Sequence, residues 1–477
     1  MPSPNWGDRL SPIILLANNW ISRIGVVLVS AAGVFWLFLL PTYLQGHAGS
    51  AYLGILLFLI LPTAFFAGLF LIPTGIVLQR KKITTPVEPS LEFPTLSWAN
   101  PAFRRLATFV GVTTLANIMI AANLTYRAVE HMDSVQFCGA TCHVVMKPEY
   151  FAYQNSPHSK VECVKCHIGP GASWFVQSKL SGVGQVVAVA LDNYERPIPT
   201  PVENLRPARE TCEGCHWPDK YGGDRLRVIT HFNDSGEQTK SVLLMHIGGG
   251  GYQGKGIHTA HVGKGIRIRY GHSDRARQTI PWVEYSRNGD VREFFAEKTK
   301  KEDVAKLSIR EMDCVDCHNR PSHTMTLPER SVDNMMAAGD IPADLPLIKK
   351  IAVETLKKDY GNTQRGEAEI PQAIAAYYKT NHADVFAKRQ ADVTKAAQNV
   401  LAIWQRNVFP EMKVTWGTYV NNIGHTDYPG CFRCHDDAHK TQDGSQAIGQ
   451  DCNACHGLLA MEESDPKVLK DLGLVTE

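Results

Sequence analysis

Apolar and polar positions divide this chain sharply. Three long runs without a charged side chain open it: Ile24 to Leu40, Ala51 to Leu78 and Leu106 to Tyr126. Each is near or above the roughly 17 residues that carry a helix across a bilayer core. The pattern predicts a membrane domain over 1–125 with three transmembrane helices at about 24–40, 51–78 and 106–126. Buried helices of a soluble domain are the bland alternative, and three uncharged runs in one third of the chain argue against it. The small residues Ala31, Ala32 and Gly33 fall inside the first run, so it reads as a span and not a cleaved leader.

After residue 125 the pattern changes. Residues 126–216 show short helical stretches with little apolar periodicity. Residues 217–313 hold RLRVITHF, SVLLMHIG, IRIRYGHS and IPWVEYSRNGDVREFF, which alternate or run β-branched, and Asn288-Gly289 is a hairpin signal. They predict a small β-rich insertion. The run Gly248 to Gly251 reads as a loop, because a phosphate cradle needs a following Lys-Ser/Thr. Residues 341–424 read helical, with apolar spacing in LPLIKKIAVETL and VTKAAQNVLAIW.

Charge adds topology but no partner field. The net charge of +2 gives no reason to expect a nucleic-acid partner. Arg80, Lys81, Lys82, Arg104 and Arg105 lie between the second and third runs, and Pro41 to Ser50 contains no Lys or Arg. By the positive-inside rule the basic loop is cytoplasmic, and the third helix emerges on the outer face.

The twelve cysteines carry the chemistry. They fall in six pairs, Cys138/Cys142, Cys163/Cys166, Cys212/Cys215, Cys314/Cys317, Cys431/Cys434 and Cys452/Cys455, each followed at once by a histidine. Five read Cys-x-x-Cys-His, the attachment signature of c-type haem; the first, CGATCH, has one more residue in its loop. The two thiols add to the porphyrin vinyl groups, and the adjacent imidazole is held as an axial ligand. Zinc or a redox dithiol is the ordinary reading of one isolated pair; six pairs with six histidines exclude it here. The expected attached ligands are His143, His167, His216, His318, His435 and His456. Because this ligation is completed outside the cytoplasm, haem chemistry and loop charge give the same topology. The motifs also mark a fourth haem segment at 314–340 and a dihaem segment at 425–477, after the trihaem segment at 126–216.

A haem that only transfers electrons needs a second axial ligand. Position near the motifs singles out His158, His323, His425 and His439. One more is expected from His246, His258 and His261, with His258 taken first. His47, His131, His231, His272 and His382 are expected to stay outside the ligand set. For the first haem Met146, three residues after His143, offers a thioether; packing is the plain alternative.

A helix running into CHVVMKPEY, then SPH, CVKCH, Lys179, CEGCH and CVDCHNRPSH together resemble the NapC/NirT family of membrane-anchored multihaem quinol dehydrogenases, over residues 106–216 and 310–325. The resemblance supports His323 and His158 as distal ligands. It implies a first haem at the membrane surface with Met146 beside its motif, and quinol oxidised there near Lys179. The family's acidic quinol-pocket residue has no direct match: Gln185 stands where it is sought first, and Asp192 or Glu149 can serve instead. Three apolar runs, the insertion and two further haems depart from the family's usual single helix and four haems.

The resulting expectation is a mainly α multihaem cytochrome c whose core is built around its haems. It sits as a multi-pass protein in a bacterial cytoplasmic membrane, with its haem part in the periplasm. Six covalent haems carry electrons from the membrane quinol pool to a periplasmic or outer-membrane cytochrome or reductase. The alternative is a non-enzymatic electron-transfer subunit of a larger membrane complex.

Overall fold

The computed structural model describes residues 19–44, 59–82, 126–141, 143–169, 171–202, 205–217, 222–249 and 256–474, with scattered positions between 98 and 123. The chain divides into two compact units, Met1–Cys142 and His143–Glu477.

In the first unit, the helices Trp20–Leu44 and Leu61–Lys82 pack together. Small residues let their backbones touch. A methyl group on Gly68 would stand 2.7 Å from the Gly25 carbonyl oxygen, and one on Gly75 would stand 2.3 Å from Ser22 Oγ. Ser22 Oγ in turn donates to the Ile72 carbonyl at 2.9 Å. Close approach through small residues and a hydroxyl is how helices associate where lipid removes the hydrophobic drive. Leu61–Lys82 is the one described helix that is long and apolar enough to cross a membrane, and it ends on Arg80, Lys81 and Lys82. Of the three expected spans, the third at 106–126 lies outside the described residues apart from isolated positions.

The second unit mixes helices with two antiparallel sheets. The strands are β1 (Arg225–Phe232), β2 (Gln238–Met245), β3 (Ile266–His272), β4 (Trp282–Arg287), β5 (Asp290–Phe295), β6 (Ser308–Glu311) and β7 (His456–Glu463). Asn288 and Gly289, at φ 51° and 91°, turn β4 into β5, with Arg287 paired to Asp290. Two positive φ values match the right-handed strand twist, which is why Asn-Gly marks such hairpins. One sheet runs β5-β4-β3-β6; the other runs β1-β2-β7. The second sheet takes its last strand from the far end of the chain, so the β-rich segment completes itself only with residues 456–463.

The expectation of a core built only around haems is corrected between residues 328 and 408. The helices Pro328–Ala337, Ile348–Leu356, Thr363–Asn381 and Gln390–Asn407 enclose Ile341, Leu345, Ile370, Ile374, Tyr378, Val400 and Trp404, all nearly inaccessible to solvent. Their side chains supply a conventional apolar core. The segments bearing the second and third motifs have little of this kind, and most of their residues stay half-exposed.

Candidate functional site

Three of the six cysteine motifs start short helices: Cys163–His167 holds the second motif, Cys314–Cys317 starts the fourth and Cys452–Cys455 starts the sixth. One helical turn puts both sulfurs on one side, as a bridging group requires. Asp313 caps the fourth-motif helix by accepting from Cys314 N at 2.7 Å, and Asp316 accepts from Asp313 N at 2.7 Å. Asp316 is buried and also takes Tyr270 Oη at 2.6 Å, Arg277 at 2.9 Å and Arg310 Nε at 2.9 Å. Burial and that carboxylate push the Tyr270 phenol well above its ordinary value.

Five of the histidines that follow a cysteine pair face a second histidine. His167 faces His323 at 6.2 Å between ring centroids, and His216 faces His158 at 6.0 Å. His318 faces His258 at 6.3 Å with the rings nearly parallel. His435 faces His261 at 5.8 Å, and His456 faces His425 at 6.2 Å. A metal–imidazole bond of about 2.0 Å, with the ring centre about 1.1 Å behind the nitrogen, puts two rings sharing one metal about 6.2 Å apart. The pairs have that separation.

The rings are also held with one nitrogen turned inward. Nδ1 donates to a main-chain carbonyl in His323 (Glu149, 3.0 Å), His258 (Ile247, 3.0 Å), His261 (Ile257, 2.8 Å), His158 (Pro321, 3.3 Å) and His435 (Gly449, 2.9 Å). An Nδ1–H given to a carbonyl puts the ring's lone pair on Nε2, the usual support of a metal-bound imidazole.

His439 stands apart from these pairs. It is buried, but Nδ1 lies 2.9 Å from Asp436 Oδ1 and Nε2 lies 2.7 Å from the Ile280 carbonyl. Both nitrogens lie against acceptors of the chain, so in this arrangement the ring is engaged within its own surroundings. The partner of His435 is His261, which sequence reasoning ranked behind His258. The insertion presents two facing histidines, not one. Both stand on the helix Ile257–Val262, three residues apart, and reach different motifs. That i, i+3 spacing was the available signal. His246 is held by Asp224 at 2.9 Å. His231 pairs with Asp333, His272 with the Asp274 carbonyl, and His382 packs on Tyr377 and Tyr378.

At the first motif, Cys142 and the side chain of His143 lie outside the described residues. Met146 is half-buried on the helix His143–Gln154.

The other expected pocket residues separate. Glu149 is committed to Arg320, with its carboxylate 3.1 Å from Nη2; the Arg320 side chain is buried and that of Glu149 mostly so. Arg320 also donates Nε to the His323 carbonyl at 2.9 Å and stacks on Tyr419. Glu149 and Arg320 therefore clamp His323 from both sides, a role the sequence did not reveal. Asp192, exposed, is bound by Arg196. Gln185 and Lys179 lie on the helix Ala172–Ala190; Gln185 is exposed, and the Lys179 side chain is outside the described residues. On that helix Leu180, Val183 and Val187, with Leu191 just after it, are half or more exposed. At 100° per residue they form one stripe, flanked by position 179, while position 185 falls on the opposite side.

Neighbouring motifs adjoin one another in chain order. Burial pushes the Cys166 thiol up, helped by the nearby sulfurs of Cys212 and Cys215. A hydrogen bond to Cys212 raises Cys314. Burial raises Cys317, near Cys431, and also Cys434, near Cys317. Burial raises Cys455 as well, with Cys431 adding to it. The second to sixth motifs thus form a continuous row.

The NapC/NirT cytochrome c family, N-terminal region, matches residues 101–198. Over 462 residues the chain is 41% identical to the cytochrome c-type protein ImcH of Geobacter sulfurreducens, covering 95% of this chain and 91% of that protein. This chain belongs to the NapC/NirT cytochrome c family. As a NapC/NirT cytochrome it is a membrane-associated multihaem electron-transfer protein with covalently bound haem c. The paired histidines fit that cofactor in separation, and five of the ten rings also in the carbonyl held by Nδ1. No solved structure matches the chain.

Proposed function

We propose that this NapC/NirT cytochrome oxidises quinol at the outer face of the cytoplasmic membrane and delivers electrons to a periplasmic or outer-membrane acceptor. In this reading three helices anchor it and six haems are attached through the six cysteine pairs. His158, His258, His261, His323 and His425 complete the second to sixth sites, and Met146 stands beside the first. The haems, when bound, supply a row of one-electron acceptors.

The observation that carries the reading is the exposed apolar stripe Leu180, Val183, Val187 and Leu191 beside position 179. An apolar strip next to a single cation suits a lipid-soluble molecule with one polar end. Quinol oxidation releases two protons with two electrons. Lys179 holds a quinol oxygen, and Asp192 is the nearest exposed carboxylate in sequence to receive a proton. Glu149 drops out of this role because it is enclosed with Arg320, whereas Asp192, although paired with Arg196, keeps its carboxylate in solvent.

Lys179→Ala tests the assignment. It should leave visible spectra and dithionite reduction unchanged while slowing reduction by a quinol analogue. A hydrogen bond to a charged group is worth about 1.5–3 kcal/mol, which is a ten- to hundredfold loss of rate at about 1.4 kcal/mol per decade. An unchanged quinol rate sinks the pocket and leaves the electron-transfer-subunit reading.

A further inference from the structure

The row of motifs ends at the sixth, and the surface beyond it differs from the rest of the molecule. His456 is the first residue of β7, the outer strand of the sheet β1-β2-β7 among the described residues. Leu458 (53% exposed), Leu459 (41%) and Met461 (66%) follow directly. At about 3.3 Å per residue the two leucines lie within about 10 Å of His456 along the strand. Leu458, Leu459 and Met461 form a cluster of accessible apolar side chains along the outer strand, and such a patch marks a contact surface.

Charge distinguishes what fits there. Residues 425–477 carry ten acidic and four basic side chains, net −6, in a chain whose total is +2. Asp451, Glu462, Glu463 and Asp471 around the strand are exposed, and none forms an ion pair among the described residues. Asp465 is neutralised by Lys470. Lys240 sits across from Glu463 in the register. The arrangement is therefore apolar at the centre, beside the terminal motif, with an acidic surround.

We infer that the face formed by β7 and the segment after it is the docking surface for a small, soluble, basic electron carrier, one that presents an apolar redox edge ringed by lysines. The inference rests on the electron-transfer reading above but not on quinol chemistry. At each encounter one electron leaves this chain and one ferric carrier is reduced, with no proton or bond exchanged. Leu458, Leu459 and Met461 exclude water at the contact. The free carboxylates steer the carrier and orient it, an effect that acts mainly on association rate and is screened by salt.

The test uses the full-length protein in detergent, loaded with haem. Surface plasmon resonance would follow binding of a lysine-rich mitochondrial-type cytochrome c, chosen as a basic probe. Association should be readily measured at low salt and weaken at least tenfold as ionic strength approaches 0.5 M. The triple variant Glu462→Gln, Glu463→Gln, Asp471→Asn should slow association about five- to tenfold, near twofold for each charge removed. Leu458→Ser with Met461→Ser should raise the dissociation rate with little change in salt dependence. In a second arm the protein is reduced beforehand with dithionite and then oxidised by the same cytochrome or by ferricyanide. The variants should slow the first reaction and not the second. Because dithionite bypasses quinol, failure of the quinol site leaves this result intact. Equal binding by the parent and the triple variant overturns the inference. So does a matching loss toward ferricyanide, or self-association through β7 in place of carrier binding.

Discussion

At the scale of single residues, His261 and His439 separate most cleanly. Both lie near the fifth motif, and His439 is the closer in sequence, four residues after His435. Its two nitrogens are nevertheless taken by Asp436 and the Ile280 carbonyl, while His261 faces His435 with Nδ1 tied to the Ile257 carbonyl. His261→Ala should therefore convert one low-spin haem signal to high spin in the EPR spectrum. His439→Ala should leave every low-spin signal in place and cost stability, about 1–3 kcal/mol for the buried acceptors left without a donor. A high-spin signal from His439→Ala would restore it to the ligand set.

At the scale of elements, the helical region at 328–408 behaves as a packed core in its own right. Gly366 lies on Thr363–Asn381 where the helix meets Trp404, and a methyl group there would come within 2.4 Å of the indole. The ring is fully buried against Tyr360 and has no room to retreat. Alanine ordinarily favours a helix over glycine by about 1 kcal/mol, but overpacking here should outweigh that gain with a net loss of about 1–2 kcal/mol. Thermal unfolding followed by far-UV circular dichroism should show Gly366→Ala melting several degrees lower. A higher melting temperature would mean that the contact relaxes freely. The motif-bearing segments 143–217 contribute only a few side chains, among them Val145, Phe151 and Val189, to a smaller apolar cluster with Phe409 and Met412, so their order should depend on attached haem far more than that of residues 328–408.

For the whole molecule, the layout joins an apolar amino-terminal portion, a row of haem motifs and an acidic carboxy-terminal face. Mass spectrometry of the denatured protein should show six haem additions; five would exclude CGATCH as an attachment site. Protease added to intact spheroplasts should degrade the haem-stained portion under the proposed topology, in which the basic residues at 80–82 and 104–105 keep their loop inside. Full protection would reverse the topology. A charge balance of +2 overall conceals a separation in which the last 53 residues are strongly negative.

The attachment sites were legible in the sequence because their chemistry is local: two thiols and an imidazole within five or six residues fix a haem whatever surrounds them. The hairpin at Asn288-Gly289 was legible for the same reason, since its backbone angles depend on those two residues. The helices at 348–356 and 390–407 showed in the spacing of their apolar residues. The facing of the histidines was legible only in part. His158, His323 and His425 stand near motifs, but which motif histidine each one faces depends on how distant segments meet: His323 lies more than 150 residues from His167. Tertiary packing alone distinguished His261 from His439, because an imidazole's fate rests on whether its second nitrogen finds an acceptor. It also took Glu149 into a buried pair with Arg320 and completed a sheet of the β-rich segment with residues 456–463. Sequence determines what is covalent or adjacent in the chain; the fold decides which groups lose their water and therefore which partners they must find.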